Sequence, residues 1–125
     1  MRVLIVDDVA AVREALRLLL GDEPGVEVVG EADDGEEAIR LVDALGPDVV
    51  LMDLEMPRMG GLSAMRAIRR RPHPPRLVAM SVYGAADDVR LSALDAGASL
   101  YVEKGATLAD LVEALRGAFR DAAPD

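Results

Sequence analysis

The chain has 125 residues, of which 51% are hydrophobic. This composition predicts one compact domain with a buried core and excludes a chain that is disordered as a whole. Its net charge of −9 argues against direct binding of nucleic acid or anionic lipid. Cysteine is absent, which excludes disulfides and thiolate metal sites, and no apolar run approaches the ~20 residues that span a bilayer. We therefore expect a cytoplasmic protein that does not enter membranes.

Short apolar segments alternate with amphipathic segments along the whole chain. The strand-like segments are residues 3–6, 26–32, 48–52, 76–82 and 99–103. Nearly continuous apolar strands separated by helices predict a parallel sheet that is covered on both faces. The expected fold is therefore an α/β doubly wound three-layer sandwich over residues 1–120, with residues 121–125 as a C-terminal tail or the start of a linker.

The helices are predicted from apolar periodicity and from capping residues. Asp34 and Glu37 form a capping-box pattern, and the helix that they open is expected to stop at Gly46-Pro47. The fourth helix, at about residues 87–96, has a weak apolar face, and Thr107 is the expected N-cap of the fifth. Apolar residues at helical spacing are Val9, Val12, Leu16, Leu19 and Leu20 in the first helix, Ala38, Ile39, Val42 and Leu45 in the second, Leu62, Met65 and Ile68 in the third, and Leu108, Leu111, Val112, Leu115 and Phe119 in the fifth.

Acidic residues follow two of the predicted strands directly. Asp7 and Asp8 come after "VLIV", and Asp53 comes after "DVVLM". In open α/β sheets, ligands bind outside the carboxyl ends of the strands, so neighbouring strands would bring these three carboxylates into one pocket. Capping of the first helix accounts for Asp7 or Asp8 but leaves Asp53 unexplained. A hard divalent cation accounts for all three, and Mg²⁺ in particular leaves positions open for phosphate oxygens.

Two further strand ends supply groups that suit a phosphoryl ligand. Ser81 lies near the end of the fourth strand, and Lys104 follows the fifth. Lys104 is the only lysine among 14 basic residues, so the compact ammonium is used at this position alone. Because a carboxylate can attack phosphorus and form an acyl phosphate, Asp53 is the candidate nucleophile.

Four motifs in this order and at this spacing resemble the receiver domain of response regulators, over roughly residues 2–120. They are "LIVDDV", "VVLMDLEMPRMGG", "LVAMSV" and "GASLYVEKG". The resemblance implies the chemotaxis-regulator-like fold with strand order 2-1-3-4-5. It also implies a phosphoprotein whose partner is a sensor histidine kinase.

The resemblance further assigns a role to each candidate residue. Asp53 would accept the phosphoryl group, and Lys104 would contact it. Asp8 and Asp53 would bind Mg²⁺, with Asp7 helping through water and Glu55 through its backbone carbonyl.

The same resemblance implies a conformational switch. Ser81 would move in to bond the phosphoryl group, Tyr101 would turn inward as the aromatic switch, and the surface of helix 4, strand 5 and helix 5 would change. Without the resemblance, a half-buried aromatic residue in a strand is an equally good interpretation of Tyr101. Glu55 and Tyr83 occupy positions that tune self-hydrolysis in the family, and we expect a slowly hydrolysing mark.

Two other functions are considered beside this one. One is a Mg²⁺-dependent phosphohydrolase that passes through an aspartyl phosphate, and the other is a degenerate receiver that acts only as an interaction module. The stretches "VEVVGEADDGEEAI" and "YVEKGA" resemble regulators that carry a helix-turn-helix DNA-binding output domain, which this chain does not contain. Transcriptional output is therefore expected of such a partner domain, and homodimerisation is left open.

Overall fold

A five-stranded parallel sheet alternates with five helices in the computed structural model of the chain, which describes residues 1–56, 59–81 and 87–121. The strands are β1 (Arg2–Val6), β2 (Glu27–Ala32), β3 (Val49–Asp53), β4 (Arg76–Ser81) and β5 (Leu100–Glu103). The helices are α1 (Ala10–Gly21), α2 (Gly35–Leu45), α3 (Gly61–Arg69), α4 (Asp87–Asp95) and α5 (Leu108–Asp121). The expected α/β fold class is confirmed.

The strands are ordered β2-β1-β3-β4-β5, and every neighbouring pair is parallel. This confirms the order that the family resemblance implies. Val6 at the end of β1 is in register with Met52 of β3. The residues that follow these two, Asp7 and Asp53, therefore lie side by side at the carboxyl edge of the sheet.

Side chains alternate along each strand between two apolar layers, as a sheet covered on both faces requires. One layer joins Leu4, Val6, Val50 and Met52 of the sheet to Ala38 and Val42 of α2, Ala64, Met65 and Ile68 of α3, and Ala93 of α4. The other joins Val3, Ile5, Val49 and Leu51 of the sheet to Leu20 of α1 and Leu111, Val112, Leu115 and Ala118 of α5. The sheet is thus the middle layer of three.

The helix termini follow the capping residues that the sequence supplies. Asp34 Oδ1 accepts a hydrogen bond of 2.8 Å from the Glu37 amide at the start of α2. Gly46 ends that helix with φ +58°, a left-handed conformation that glycine adopts without steric cost. Thr107 Oγ1 accepts a bond of 3.1 Å from the Asp110 amide at the start of α5. Both predicted N-caps are confirmed.

The apolar face of α1 is narrower than the sequence pattern indicates. Leu20 is fully buried and Leu16 packs at the edge of the core, whereas Leu19 is 48% exposed. Val9 is 46% exposed because it is the N-cap and precedes the first helical turn. Among the helices that the structure describes, none combines the length and apolarity needed to cross a membrane.

Candidate functional site

The three predicted acids meet at the carboxyl edge of the sheet. Asp53 is the last residue of β3 and Asp7 follows β1, and both are fully buried, whereas Asp8 is exposed at the start of the β1–α1 connection. One carboxylate oxygen from each of the three lies within 4.8 Å of the others. The convergence that the strand ends predict is therefore present in the structure.

Backbone amides orient the two buried acids. Asp7 Oδ1 accepts a hydrogen bond of 2.9 Å from the Val9 amide, and Asp53 Oδ1 accepts one of 3.0 Å from the Glu55 amide. In each case the amide two residues later donates to the aspartate carboxylate, which is a local turn that aspartate favours. The bond to Val9 satisfies an amide next to α1, so Asp7 both supports the helix start and contributes to the cluster.

Lys104 lies between the two buried acids. Its Nζ is 3.0 Å from Asp7 Oδ2 and 3.2 Å from Asp53 Oδ2. Neither of these oxygens has a further hydrogen-bond partner among the described residues. One ammonium therefore offsets part of the negative charge of two carboxylates.

The ionisation of Asp53 and Lys104 reflects this arrangement. Burial raises the pKa of the Asp53 carboxyl from 3.8 to about 6, and the nearby Asp7 charge adds to the rise. The Glu55 amide and the Lys104 ammonium lower it without outweighing burial. Burial lowers the pKa of Lys104, but its contacts with Asp7 and Asp53 exceed that effect, and the pKa lies above its ordinary value. At neutral pH the site thus holds a charged lysine and a mostly ionised Asp53.

Ser81 and Glu55 form a contact that the sequence analysis did not predict. Ser81 is the last residue of β4 and is fully buried, and its Oγ donates a hydrogen bond of 2.9 Å to Glu55 Oε1. Ser81 therefore lies at the same edge as the acids, as expected. Its bond to Glu55 depends on the path of the chain after β3, which residue spacing does not reveal.

Arg13 is a second contact of the site that the sequence analysis missed. Its Nη1 donates a bond of 2.6 Å to the backbone carbonyl of Asp7, and its Nε lies 3.5 Å from Glu31 Oε1 on β2. Arg17, one helical turn later, lies 3.2 Å from Glu31 Oε2. The sequence signal for this network is the four-residue spacing of Arg13 and Arg17, together with the acidic Glu31 in a mostly apolar strand segment. This network ties the β1–α1 connection, which carries Asp7 and Asp8, to β2.

Tyr101 occupies β5 in register with Ala79 and is half-buried. Its ring packs against the apolar layer that includes α2, α3 and α4. The phenol oxygen is buried without a hydrogen-bond partner among the residues described. This placement is compatible with both the switch and the simple strand aromatic. Tyr83, the other residue expected to tune hydrolysis, lies outside the described residues, as do Pro57, Val82 and the tail residues 122–125.

The donor set suits a hard divalent cation. Asp7, Asp8 and Asp53 offer carboxylate oxygens only, and these are the ligands that Mg²⁺ prefers in proteins. Asp8, unlike Asp7 and Asp53, is exposed to solvent. The buried Oδ2 atoms of Asp7 and Asp53 carry charge that Lys104 alone offsets only in part.

Comparisons with known proteins agree with this geometry. A family model for the response regulator receiver domain matches residues 3–116. The response regulator GacA of Pseudomonas viridiflava is 45% identical over 118 residues, which are 94% of this chain and 55% of that protein. The transcriptional regulatory protein LiaR of Bacillus subtilis strain 168 is 39% identical over 117 residues, again 94% of this chain and 55% of that protein. The chain spans about half the length of these curated relatives.

A solved structure gives the same result. A two-component response regulator of the LuxR family from Aurantimonas sp. SI85-9A1 superposes with a TM-score of 0.90 at 39% identity, over 96% of this chain and 85% of that chain. Sequence, fold and site geometry thus lead to one assignment. The chain belongs to the response-regulator receiver family, and it is the receiver domain of a two-component response regulator.

Proposed function

We propose that this domain is a phosphoacceptor, in which Asp53 takes a phosphoryl group from a phosphohistidine of a sensor histidine kinase. The observation that carries the proposal is the buried Asp53 carboxylate grouped with Asp7 and Asp8 and facing Lys104. A pKa of about 6 leaves most of Asp53 ionised at neutral pH, as a nucleophile requires.

The transfer forms one bond and breaks one. An Asp53 carboxylate oxygen attacks phosphorus, the new O–P bond yields an acyl phosphate, and the P–N bond of the phosphohistidine breaks with its electron pair returning to the imidazole. Charge on the three equatorial oxygens has to be offset during this step. Lys104, already 3.2 Å from Asp53 Oδ2, supplies one positive charge there.

Mg²⁺ is the proposed cofactor, held by Asp8 and Asp53, with Asp7 through water and the Glu55 backbone carbonyl. When bound, the ion supplies positive charge that favours a phosphoryl group on Asp53. We expect the acyl phosphate to persist rather than to turn over rapidly, so that the domain stores a signal and does not act as a hydrolytic enzyme.

The proposed response uses Ser81 and Tyr101. Ser81 would bond the phosphoryl group, Tyr101 would respond by packing inward, and the surface of α4, β5 and α5 would then change. Among the described residues, four large apolar side chains on those three elements are exposed, which is consistent with a surface that meets a partner: Leu91, Leu94, Leu100 and Phe119.

The output is proposed to be transcriptional, through a helix-turn-helix domain outside this chain. This follows from the likeness to LiaR, which is named a transcriptional regulatory protein, and to a LuxR-family regulator. The net charge of −9 supports a signalling role for the receiver, with DNA contacts made by another domain. Residues 1–120 are proposed as the receiver and 121–125 as a tail or linker start. Homodimerisation is one further way in which the changed surface could act.

The test is labelling by a small phosphodonor. The domain is incubated with Mg²⁺ and acetyl phosphate, and its intact mass is measured beside the Asp53→Asn and Asp43→Asn variants. We expect a gain of one phosphoryl group in the wild type and in Asp43→Asn, an exposed acid on α2, and none in Asp53→Asn. Labelling of Asp53→Asn would reassign the acceptor. No labelling of the wild type would favour the degenerate receiver, and steady release of phosphate from small phosphoesters would favour the phosphohydrolase.

A further inference from the structure

Glu55 connects the acceptor aspartate to the switch hydroxyl. Its backbone amide donates a hydrogen bond of 3.0 Å to Asp53 Oδ1, and its side-chain Oε1 accepts one of 2.9 Å from Ser81 Oγ. The amide bond fixes Glu55 two residues beyond the acceptor, at the end of β3. The side-chain bond reaches across to the end of β4, where Ser81 is fully buried.

We propose that the Glu55 carboxylate is a positioning residue that withholds the Ser81 hydroxyl from a phosphoryl group on Asp53. This inference rests on the proposed function. A serine hydroxyl carries one proton to donate. The bond to Glu55 and a bond to a phosphoryl oxygen therefore exclude each other, and phosphorylation has to displace one anionic acceptor with another.

The strength of the resting bond follows from its chemistry and its burial. A hydrogen bond to a carboxylate is roughly twice as strong as one between neutral groups. Displacing a buried hydroxyl from a charged acceptor also carries a desolvation cost, and this favours the Ser81–Glu55 bond in the resting protein. The resting state of the switch is thus stabilised by a specific bond and not merely by the absence of phosphate.

A groove beside Glu55 has room for its carboxylate after Ser81 leaves it. A groove of about 260 Å³ between α3 and α4 is lined by Leu54, Glu55, Leu62, Asp88, Val89 and Ser92. Glu55 is half-buried at its edge, so its carboxylate can become hydrated there without rearrangement of the sheet. A released Glu55 would also face Asp88 on α4. Repulsion between these two like charges would then act on that helix.

The test is a double-mutant cycle with beryllofluoride as a stable phosphoryl mimic on Asp53. Its affinity is measured at saturating Mg²⁺ by ¹⁹F NMR for the wild type, Glu55→Gln, Glu55→Ala, Ser81→Ala and the two double variants. Glutamine keeps a weaker, neutral acceptor and alanine keeps none. Glu103→Gln is the matched control, because it removes one exposed negative charge beside Lys104.

We expect affinity to rise by about fivefold or more in Glu55→Ala and by less in Glu55→Gln, since the competing bond is removed or weakened. In the Ser81→Ala background neither change should exceed about twofold, and Glu103→Gln should have a similarly small effect in both backgrounds. A gain of equal size with and without the Ser81 hydroxyl would mean simple charge repulsion and would overturn the proposal.

A measurement on the resting protein separates failure of this inference from failure of the proposed function. The Ser81 hydroxyl proton should exchange slowly enough for detection in the wild type and should be lost in Glu55→Ala, with no phosphodonor present. A hydroxyl that exchanges equally fast in both proteins would also reject the proposal. Absence of beryllofluoride binding in every variant would instead count against Asp53 as the acceptor.

Discussion

Asp53 has no exposed surface, and its neighbours act on its ionisation in opposite directions. Burial and the Asp7 carboxylate favour the protonated form, while the Glu55 amide and Lys104 favour the charged form. The balance raises the pKa above the ordinary 3.8, so the native state holds the Asp53 proton more tightly than the unfolded chain does. The Asp53 charge that the proposed phosphoacceptor role requires is therefore a local cost to stability.

Replacement of Asp53 by asparagine should stabilise the metal-free domain at neutral pH. The native pKa is raised to about 6, so the penalty is fully present above that pH and disappears as pH falls toward 3.8. The gain should be at most about 3 kcal/mol at pH 7.5 and should shrink steadily between pH 6 and 4, as followed by urea denaturation in EDTA.

Asp43→Asn is the matched control for that experiment. The hydrogen bond from Arg71, which makes contacts of 3.1 Å with both Asp43 carboxylate oxygens, lowers the pKa of Asp43. Loss of the Asp43 charge should therefore destabilise the protein at neutral pH, which is opposite in sign to Asp53→Asn. The difference in stability between Asp43→Asn and the wild type should disappear at acid pH. A stability gain in Asp53→Asn that does not vary with pH would contradict the explanation by burial.

Lys104→Met should make the domain more dependent on Mg²⁺. Without the ammonium, the buried Asp7 and Asp53 face each other uncompensated, and we expect a loss of about 2–4 kcal/mol in metal-free stability at pH 7.5. Mg²⁺ should recover more stability in this variant than in the wild type, measured as the shift in thermal midpoint. Arg116→Met, which removes a distant surface ion pair with Glu23, should leave the Mg²⁺ shift unchanged. Equal shifts in all three proteins would show that Lys104 does not offset these acids.

Of the two adjacent glycines at the start of α3, only the second lacks space for a side chain. Gly60 is the N-cap, in an extended conformation with φ −70°, and a Cβ there would meet no atom of the described residues within 4 Å. A Cβ at Gly61 would collide with the backbone carbonyl of Asp53 and with Leu54. Close packing against the acceptor residue thus requires the second glycine, whereas nothing in the described residues requires the first.

Gly60→Ser should therefore stabilise the domain, and Gly61→Ala should destabilise it. Serine supplies a capping oxygen and reduces the entropy of the unfolded chain, for a gain of about 0.5–1 kcal/mol. Alanine at position 61 should cost about 1–3 kcal/mol and reduce labelling of Asp53, because the backbone of the acceptor has to move. Chemical denaturation of both variants beside the wild type measures this. A loss in Gly60→Ser would show that the N-cap geometry differs from that described.

At the scale of the whole molecule, burial is uneven across the sheet. β1 and β3 are central strands with both faces covered, and β3 is buried along its full length. On the outer part of the sheet, α4 buries Ala93 alone among its described side chains, while Leu91 is 59% exposed. The proposed acceptor Asp53 thus lies on a fully buried strand, whereas the proposed responding surface includes a helix that buries only one alanine among its described side chains.

Hydrogen exchange should follow this gradient. After correction for intrinsic rates, amides of residues 91–95 should exchange at least about 30-fold faster than those of Leu51 and Met52, because α4 opens with little loss of buried apolar area. Native-state exchange measured by NMR at several pH values gives both rates. Equal protection of α4 and β3 would show that the helix is held by more than its packing.

Much of this arrangement could be predicted from the sequence, because strand ends in a parallel sheet share one edge. Asp7, Asp53 and Ser81 were placed correctly by that argument, and the N-caps Asp34 and Thr107 by local pattern. The exposure of Leu19 was not predictable, since helical spacing does not reveal how wide a face the sheet covers. The bonds from Arg13 to Asp7 and from Ser81 to Glu55 depend on loop paths and rotamers, which are tertiary properties.

The thinly buried α4 has a consequence for how such a domain can diverge. Substitutions at its exposed positions, such as Leu91 and Leu94, cost little folding energy and lie away from the central strands that carry Asp7 and Asp53. New recognition surfaces can therefore arise by substitution on the exposed face of α4 while the carboxylates at the sheet edge stay in place. The proposed phosphoryl transfer can in this way stay the same while the surface that meets a partner changes.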